Sequence, residues 1–135
     1  MNIYSEIDSE FFILDYTPSH SQILLRSKKN KNRDYNIDIF FKGISLIFLP
    51  SKISGIIIDV VSPKEKLNSI LEQRIFESNV EGRVYSIITN ENDIYYINAT
   101  SMGIYHNKLD ILQTSLGRYD YSDLDEFVLW DSNSN

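Results

Sequence analysis

The chain has 135 residues, 42% hydrophobic and 13% aromatic, with no cysteine and a formal net charge of −6 at pH 7. That length fits one domain, residues 1–135, and the composition fits a packed globule rather than a disordered chain. The lack of cysteine excludes a disulfide framework, a thiolate zinc site and a cysteine nucleophile, and the negative charge disfavours nonspecific binding to nucleic acid or membrane.

The opening MNIYSEIDSE is acidic and lacks the basic region and apolar run of a signal peptide. No stretch approaches the roughly 20 apolar residues of a membrane helix. The expected compartment is the cytoplasm. The abundance of Ile, Asn, Lys, Ser and Tyr is an association with AT-biased, bacterial coding.

In chain order, residues 2–7 are expected as a short edge strand, and residues 11–16 as an extended apolar run. Thr17-Pro18-Ser19 breaks it, because proline biases the preceding residue away from helix. Residues 22–27 are the next strand, with Ile23 and Leu25 on one side and Leu24 and Arg26 on the other. Residues 11–27 therefore read as a hairpin.

The segment KKNKNRDY, residues 28–35, is the most loop-like in the chain. Arg26, Lys28, Lys29, Lys31 and Arg33 crowd into and beside it. One reading is an anion-binding loop for a small anionic ligand or a nucleotide. The other is a solvated hairpin tip whose lysines blunt aggregation, the usual role of a charged loop. Aromatic interleaving for a single-stranded nucleic acid is missing there.

Residues 36–76 organise the rest. Ile37, Ile39 and Phe41 alternate with Asp38, Phe40 and Lys42 as a half-buried strand does. Gly43 permits a turn. Residues 44–49 are almost continuously apolar, which predicts a strand covered on both faces, and Pro50 stops its ladder. Residues 56–61, IIIDVV, are dominated by β-branched side chains that suit a pleated surface. A helix is expected next, with Ser62 as N-cap, Pro63 at the first position and Glu65 completing a capping box. Leu67, Ile70, Leu71 and Ile75 fall on one stripe, as in a helix laid across a sheet.

Residues 83–89 and 94–99 read as a hairpin around Asn90-Glu91-Asn92-Asp93. Ser101-Met102-Gly103 suggests a bend or bulge. Residues 104–106 and 109–114 form a second short hairpin about Asn107-Lys108. Residues 120–130 suggest a helical turn capped by Ser122 and leading into a strand. The polar tail 131–135 is expected to fray. The fold class is mainly β (α+β): an antiparallel β-sandwich or bent sheet of about eight strands with one amphipathic helix crossing it.

Catalytic chemistry is hard to assemble. His20 and His106 belong to no metal-spaced motif. Neither a nucleophile elbow nor a phosphate-binding glycine loop occurs. Asp123, Asp125 and Glu126 lack the spacing of a calcium loop. Asn98-Ala99-Thr100 matches a glycosylation acceptor that has meaning only in a secreted chain. The expectation is no enzyme, no cofactor and no metal.

The aromatic residues are the remaining lead. Tyr95, Tyr96, Tyr105, Tyr119, Tyr121 and Trp130 lie in the C-terminal half. Around them run Asp110, Asp120, Asp123, Asp125, Glu126 and Asp131, against the single base Arg118. Tyrosine and tryptophan bury area while keeping a polar handle, and acidic neighbours speed encounter with a basic surface. The candidate partner-binding residues are Tyr119, Asp120, Tyr121, Asp123, Asp125, Glu126 and Trp130.

The segments SHSQILLRS, NIDIFFKG and LPSKISGIIIDVV resemble a pattern in small uncharacterised acidic bacterial proteins. The resemblance spans the middle half of the chain and carries no catalytic motif. Some compact acidic bacterial proteins of this size are immunity proteins. The resemblance therefore implies a non-enzymatic interaction module that neutralises a cognate toxin by covering a basic domain with its acidic aromatic face. The alternatives are the anionic-ligand or nucleotide module and a homodimeric structural protein joined through the strands of residues 44–61.

Overall fold

Period-2 alternation along this chain becomes an inside and an outside. The computed structural model describes residues 2–61, 83–116 and 126–132. They form β1 (Asn2–Thr17), β2 (Gln22–Ser27), β3 (Asn36–Lys42), β4 (Leu46–Phe48), β5 (Lys52–Val61), β6 (Arg83–Ile88), β7 (Ile94–Ala99), β8 (Ser101–Asn107) and β9 (Glu126–Ser132). A short 3-10 turn, Pro18–His20, joins β1 to β2. All pairings are antiparallel, in one sheet ordered β4-β7-β6-β5-β1-β2-β3-β8-β9.

That order closes on itself. β3 and β4 are one run of chain bent at Gly43, and β7 and β8 are one run bent at Thr100. Pairing from Asn36↔Asn107 to Lys42↔Ser101 resumes, one residue out of step, as Leu46↔Asn98 to Phe48↔Tyr96. The Thr100 N–H donates to the carbonyls of Lys42 and Gly43 at 3.0 and 3.2 Å, and the Ser45 N–H donates to Asn98 at 3.0 Å, so hydrogen bonds cross the bend. From β3 the ladder runs through β2, β1, β5, β6 and β7 back to β4. The result is a barrel of bent strands with β9 added along β8. Closure removes most edges.

The barrel is filled. Phe11, Ile23, Leu25, Ile37, Ile39 and Phe41 meet Ile53, Ile56, Ile58, Tyr85, Ile87, Ile97, Met102 and Ile104 in one buried cluster. A second, outer cluster of Leu24, Phe40 and Tyr105 lies on the other side of β2, β3 and β8. β1 turns the corner between the two halves of the wall. It pairs with β5 from Asn2 to Phe12 and with β2 from Phe12 to Thr17, so Phe12 alone in β1 has Cα partners on both sides.

The mainly β, antiparallel, bent-sheet expectation holds, as do the 83–99 hairpin and the C-terminal strand. Several local expectations do not. Residues 2–7 and 11–16 are parts of one strand of 16 residues. Gly43, at φ +65°, bends a continuing strand pair instead of reversing the chain. β4 is not covered on both faces: Ile47 and Phe48, consecutive and so on opposite faces of the strand, are 37% and 41% exposed. Ser101-Met102-Gly103 is regular β8, and the break falls at Thr100. Residues 109–114 make no returning strand: the carbonyls of Asp110, Ile111 and Gln113 accept from the Arg26 side chain and that of Leu109 from Asn36. Asp131 and Ser132, assigned to a frayed tail, belong to β9. The helix expected over residues 62–76 lies outside the described residues. No helix among the described residues is long and apolar enough to cross a membrane.

Candidate binding surface

After β8 the chain does not pair. It lies as a strap, residues 108–116, across the outside of the barrel, and a buried ion pair holds it there. Arg26 in β2 and Asp38 in β3 are Cα partners, both side chains being fully buried. Arg26 donates through Nε and Nη2 to Asp38 Oδ1 and Oδ2 at 2.6 and 2.7 Å. Its Nη1 donates to the carbonyls of Asp110, Ile111 and Gln113 at 3.0, 3.0 and 2.7 Å.

Asp38 Oδ2 also accepts from Asn107 Nδ2 at 2.8 Å and from the Ser115 hydroxyl at 2.6 Å. Asn36 Nδ2 donates to Asn107 Oδ1 at 3.0 Å and to the Leu109 carbonyl at 2.9 Å. Farther out, the Thr114 hydroxyl donates to Asp15 at 2.6 Å, and Leu116 packs against the outer cluster. Desolvating two charges is costly, and only bidentate geometry with filled remaining sites offsets it. Both conditions are met here. The strap thus has a fixed backbone, yet its turn leaves Ile111 and Leu112 40% and 75% exposed.

β9 divides its side chains between two tasks. Asp131 points inward, bound by Arg83 Nη1 at 2.9 and 3.1 Å and by the Tyr85 hydroxyl at 2.8 Å. Burial first, and then donation to the Asp131 carboxylate, push the Tyr85 hydroxyl far above the ordinary tyrosine range. Trp130 points outward and lies over Gly103, where a Cβ would crowd the indole. Lys42 Nζ is 5.2 Å from the Trp130 ring centroid. Val128 and Trp130 are 38% and 39% exposed. Strap and Trp130 occupy the same outer side, because Arg26, Asp38 and Lys42 all lie opposite the core-facing positions of β2 and β3.

Of the candidate partner residues, Trp130 is therefore on a surface. Glu126 opens β9 opposite His106. Tyr119, Asp120, Tyr121, Asp123 and Asp125 lie outside the described residues. Asp131 leaves the acidic run for a structural role. Among the basic residues, Arg26 is in the strand expected over residues 22–27, with its charge matched by Asp38. Arg33 is also engaged, donating to the Ser27 hydroxyl at 2.7 Å and to the Lys28 carbonyl at 2.9 Å while lying over the Tyr35 ring, which stacks on His106. Lys29 Nζ donates to the Lys108 carbonyl at 3.1 Å. Lys31 is exposed, and Lys28 projects over the Phe12 ring at 5.7 Å. The five bases do not converge on one anion site.

Sequence reasoning missed Asp38 as the partner of Arg26, and Asn107 and Ser115 as donors to Asp38. Parity held a signal, since Arg26 and Asp38 both fall opposite the apolar positions of their strands. Asn98 of the glycosylation triplet is fully buried. Among the described residues no group of three or more His, Asp and Glu side chains is placed to hold a metal. No protein-family model, curated protein or solved structure matches this chain.

Proposed function

We propose that this chain is a non-enzymatic protein-interaction module of the bacterial immunity or antitoxin type, acting in the cytoplasm. Its binding surface is the outer side formed by the strap and β9. The observation that supports it most is where apolar side chains are left in water. Ile111, Leu112, Val128 and Trp130 are four of nine exposed large hydrophobics among the described residues, and all come from two short C-terminal segments.

A leucine three-quarters exposed on a backbone clamped by a buried arginine is a pre-organised anchor. Ordering costs that normally weaken association are met before the partner arrives. Acidic residues between the two segments, Asp120, Asp123 and Asp125, supply the charge that draws in a basic toxin domain. The experiment is co-expression with the product of the neighbouring gene. A stable complex and rescue of a growth defect are expected. Failure of both overturns the proposal.

A homodimer is the second reading, favoured by the half-exposed Ile47, Phe48 and Ile94 beside the β4 edge. Sedimentation equilibrium distinguishes it: a concentration-independent monomer mass removes it.

A further inference from the structure

We infer that the cleft at the β1 corner binds a small zwitterionic ligand with an apolar middle, of the amino-acid or short-peptide class. The cleft borders the partner surface proposed above and shares Leu112 with it, but its test needs no protein partner, so either reading can fail without the other. The cleft encloses about 520 Å³, within the size range of small-molecule sites. It opens where β1 leaves β5 for β2, with Phe12 in its wall.

Every side of the cleft is fixed. Leu112 comes from the clamped strap. Pro50 and Lys52 flank Ser51, whose carbonyl accepts from the Ile13 N–H at 3.0 Å. Glu91 and Asp93 come from the β6–β7 turn. That turn is docked by the Asn90 N–H on the Ser54 carbonyl at 2.9 Å and by Asn90 Nδ2 on the Ile7 carbonyl at 2.8 Å. Sites held this way lose little freedom on binding.

The lining charges then choose the ligand. Lys28 stands over the Phe12 ring, and Lys52 is the Cα partner of Phe12 in β5. Glu10, Glu91 and Asp93 line the same cleft. Among the described residues, neither lysine forms an ion pair with any of these carboxylates. A nucleotide would bring several negative charges toward three carboxylates, and a pure cation would face two ammonium groups. A ligand with one charge of each sign, joined by an apolar part that covers Phe12 and Leu112, satisfies both sets. Of the five bases singled out in the sequence, Lys28 alone lines this cleft.

The test is a methyl and amide nuclear magnetic resonance titration of the full chain with leucine, leucyl-leucine, N-acetyl-leucine, leucinamide and adenosine monophosphate. Saturable shifts at the Leu112 and Ile53 methyls are expected with leucine or leucyl-leucine, and which of the two binds more tightly identifies the source class. The singly charged derivatives should bind about tenfold more weakly. Lys52→Gln and Glu91→Gln, both at exposed positions, should each weaken binding several-fold with unchanged denaturation midpoints. No saturable shift, equal binding of the singly charged derivatives, or tighter binding of adenosine monophosphate overturns the inference.

Discussion

Arg26 and Asp38 stand opposite one another in the β2–β3 ladder, fully buried, joined by two hydrogen bonds of 2.6 and 2.7 Å. The pair lies on the outer face of the ladder, opposite the core-facing positions, and is buried there beneath the strap. Its second use explains the placement, because the remaining guanidinium nitrogen gathers three strap carbonyls. Without it, those carbonyls would be left without that donor, at a cost of about 1–3 kcal/mol for each one that stays buried.

Arg26→Ala should destabilise the fold by about 3–5 kcal/mol, since it leaves Asp38 buried without its counter-charge. Arg26→Lys should recover less than half of that. A single ammonium cannot form the planar fork to Asp38 and also reach the strap. Urea denaturation gives the stability, and amide hydrogen exchange at Gln113, whose N–H donates to the Asp110 carbonyl at 2.9 Å, reports the strap. A lysine variant with wild-type stability and protection would contradict this account.

Alkaline pH should weaken the fold through Tyr85 and Tyr4. Burial comes first for both, and the Asp131 and Glu6 carboxylates add to it. Both hydroxyls are therefore raised above the unfolded tyrosine value of about 10. A raised folded-state pKa gives stability that is complete below the unfolded value and is lost as pH rises beyond it, because the unfolded chain releases its protons first. Tyrosinate absorbance should show the Tyr85 and Tyr4 hydroxyls ionising only with unfolding. Tyr85→Phe should remove part of the alkaline sensitivity. Ordinary titration of every tyrosine in the folded chain would refute the burial of these hydroxyls.

Gly55 lies in β5 at φ +73°, and a Cβ there would overlap the Asn90 side chain. Gly55→Ala should cost about 1–3 kcal/mol through backbone strain and displacement of the turn. Thermal unfolding measures the cost, and the Asn90 amide resonances report the displacement. An unaltered Asn90 environment would show that the turn is not docked through this contact.

The parts of the fold legible in the sequence were those governed by local periodicity. Ile37-Asp38-Ile39 and Tyr85-Ser86-Ile87 alternate, and each is half of a wall. Asn90 to Asp93 form the turn their side chains favour, with Asn92 at φ 65°. What was hidden depends on pairing at a distance. The bend at Gly43 is intelligible only beside Thr100, and the run from Ile44 to Leu49 looks buried until its neighbour is known to end. Arg26 reads as a strand residue grouped with the bases that follow it in sequence. Its neighbour across the ladder is Asp38, and register over 12 residues is not written in composition. The strap looked like a hairpin because no local pattern announces that a distant guanidinium takes its carbonyls.

Asp131→Asn should loosen β9 while leaving the barrel folded. It removes the charge that meets Arg83 and weakens the acceptor for Tyr85. A loss of about 1–2 kcal/mol is expected, partly screened because this pair is not fully buried. Exchange protection in β9 should fall while that in β3 stays. Equal loss in both strands would show that β9 is integral to the barrel.

In the proposed function, the strap offers Leu112 to a protein partner. Growth rescue in the co-expression system, compared between wild type and Leu112→Asp, tests it most directly. Leu112→Asp should keep the denaturation midpoint, since the side chain is mostly in water, yet lose rescue, while Lys31→Ala should retain it. Full rescue by a folded Leu112→Asp chain would contradict the claim.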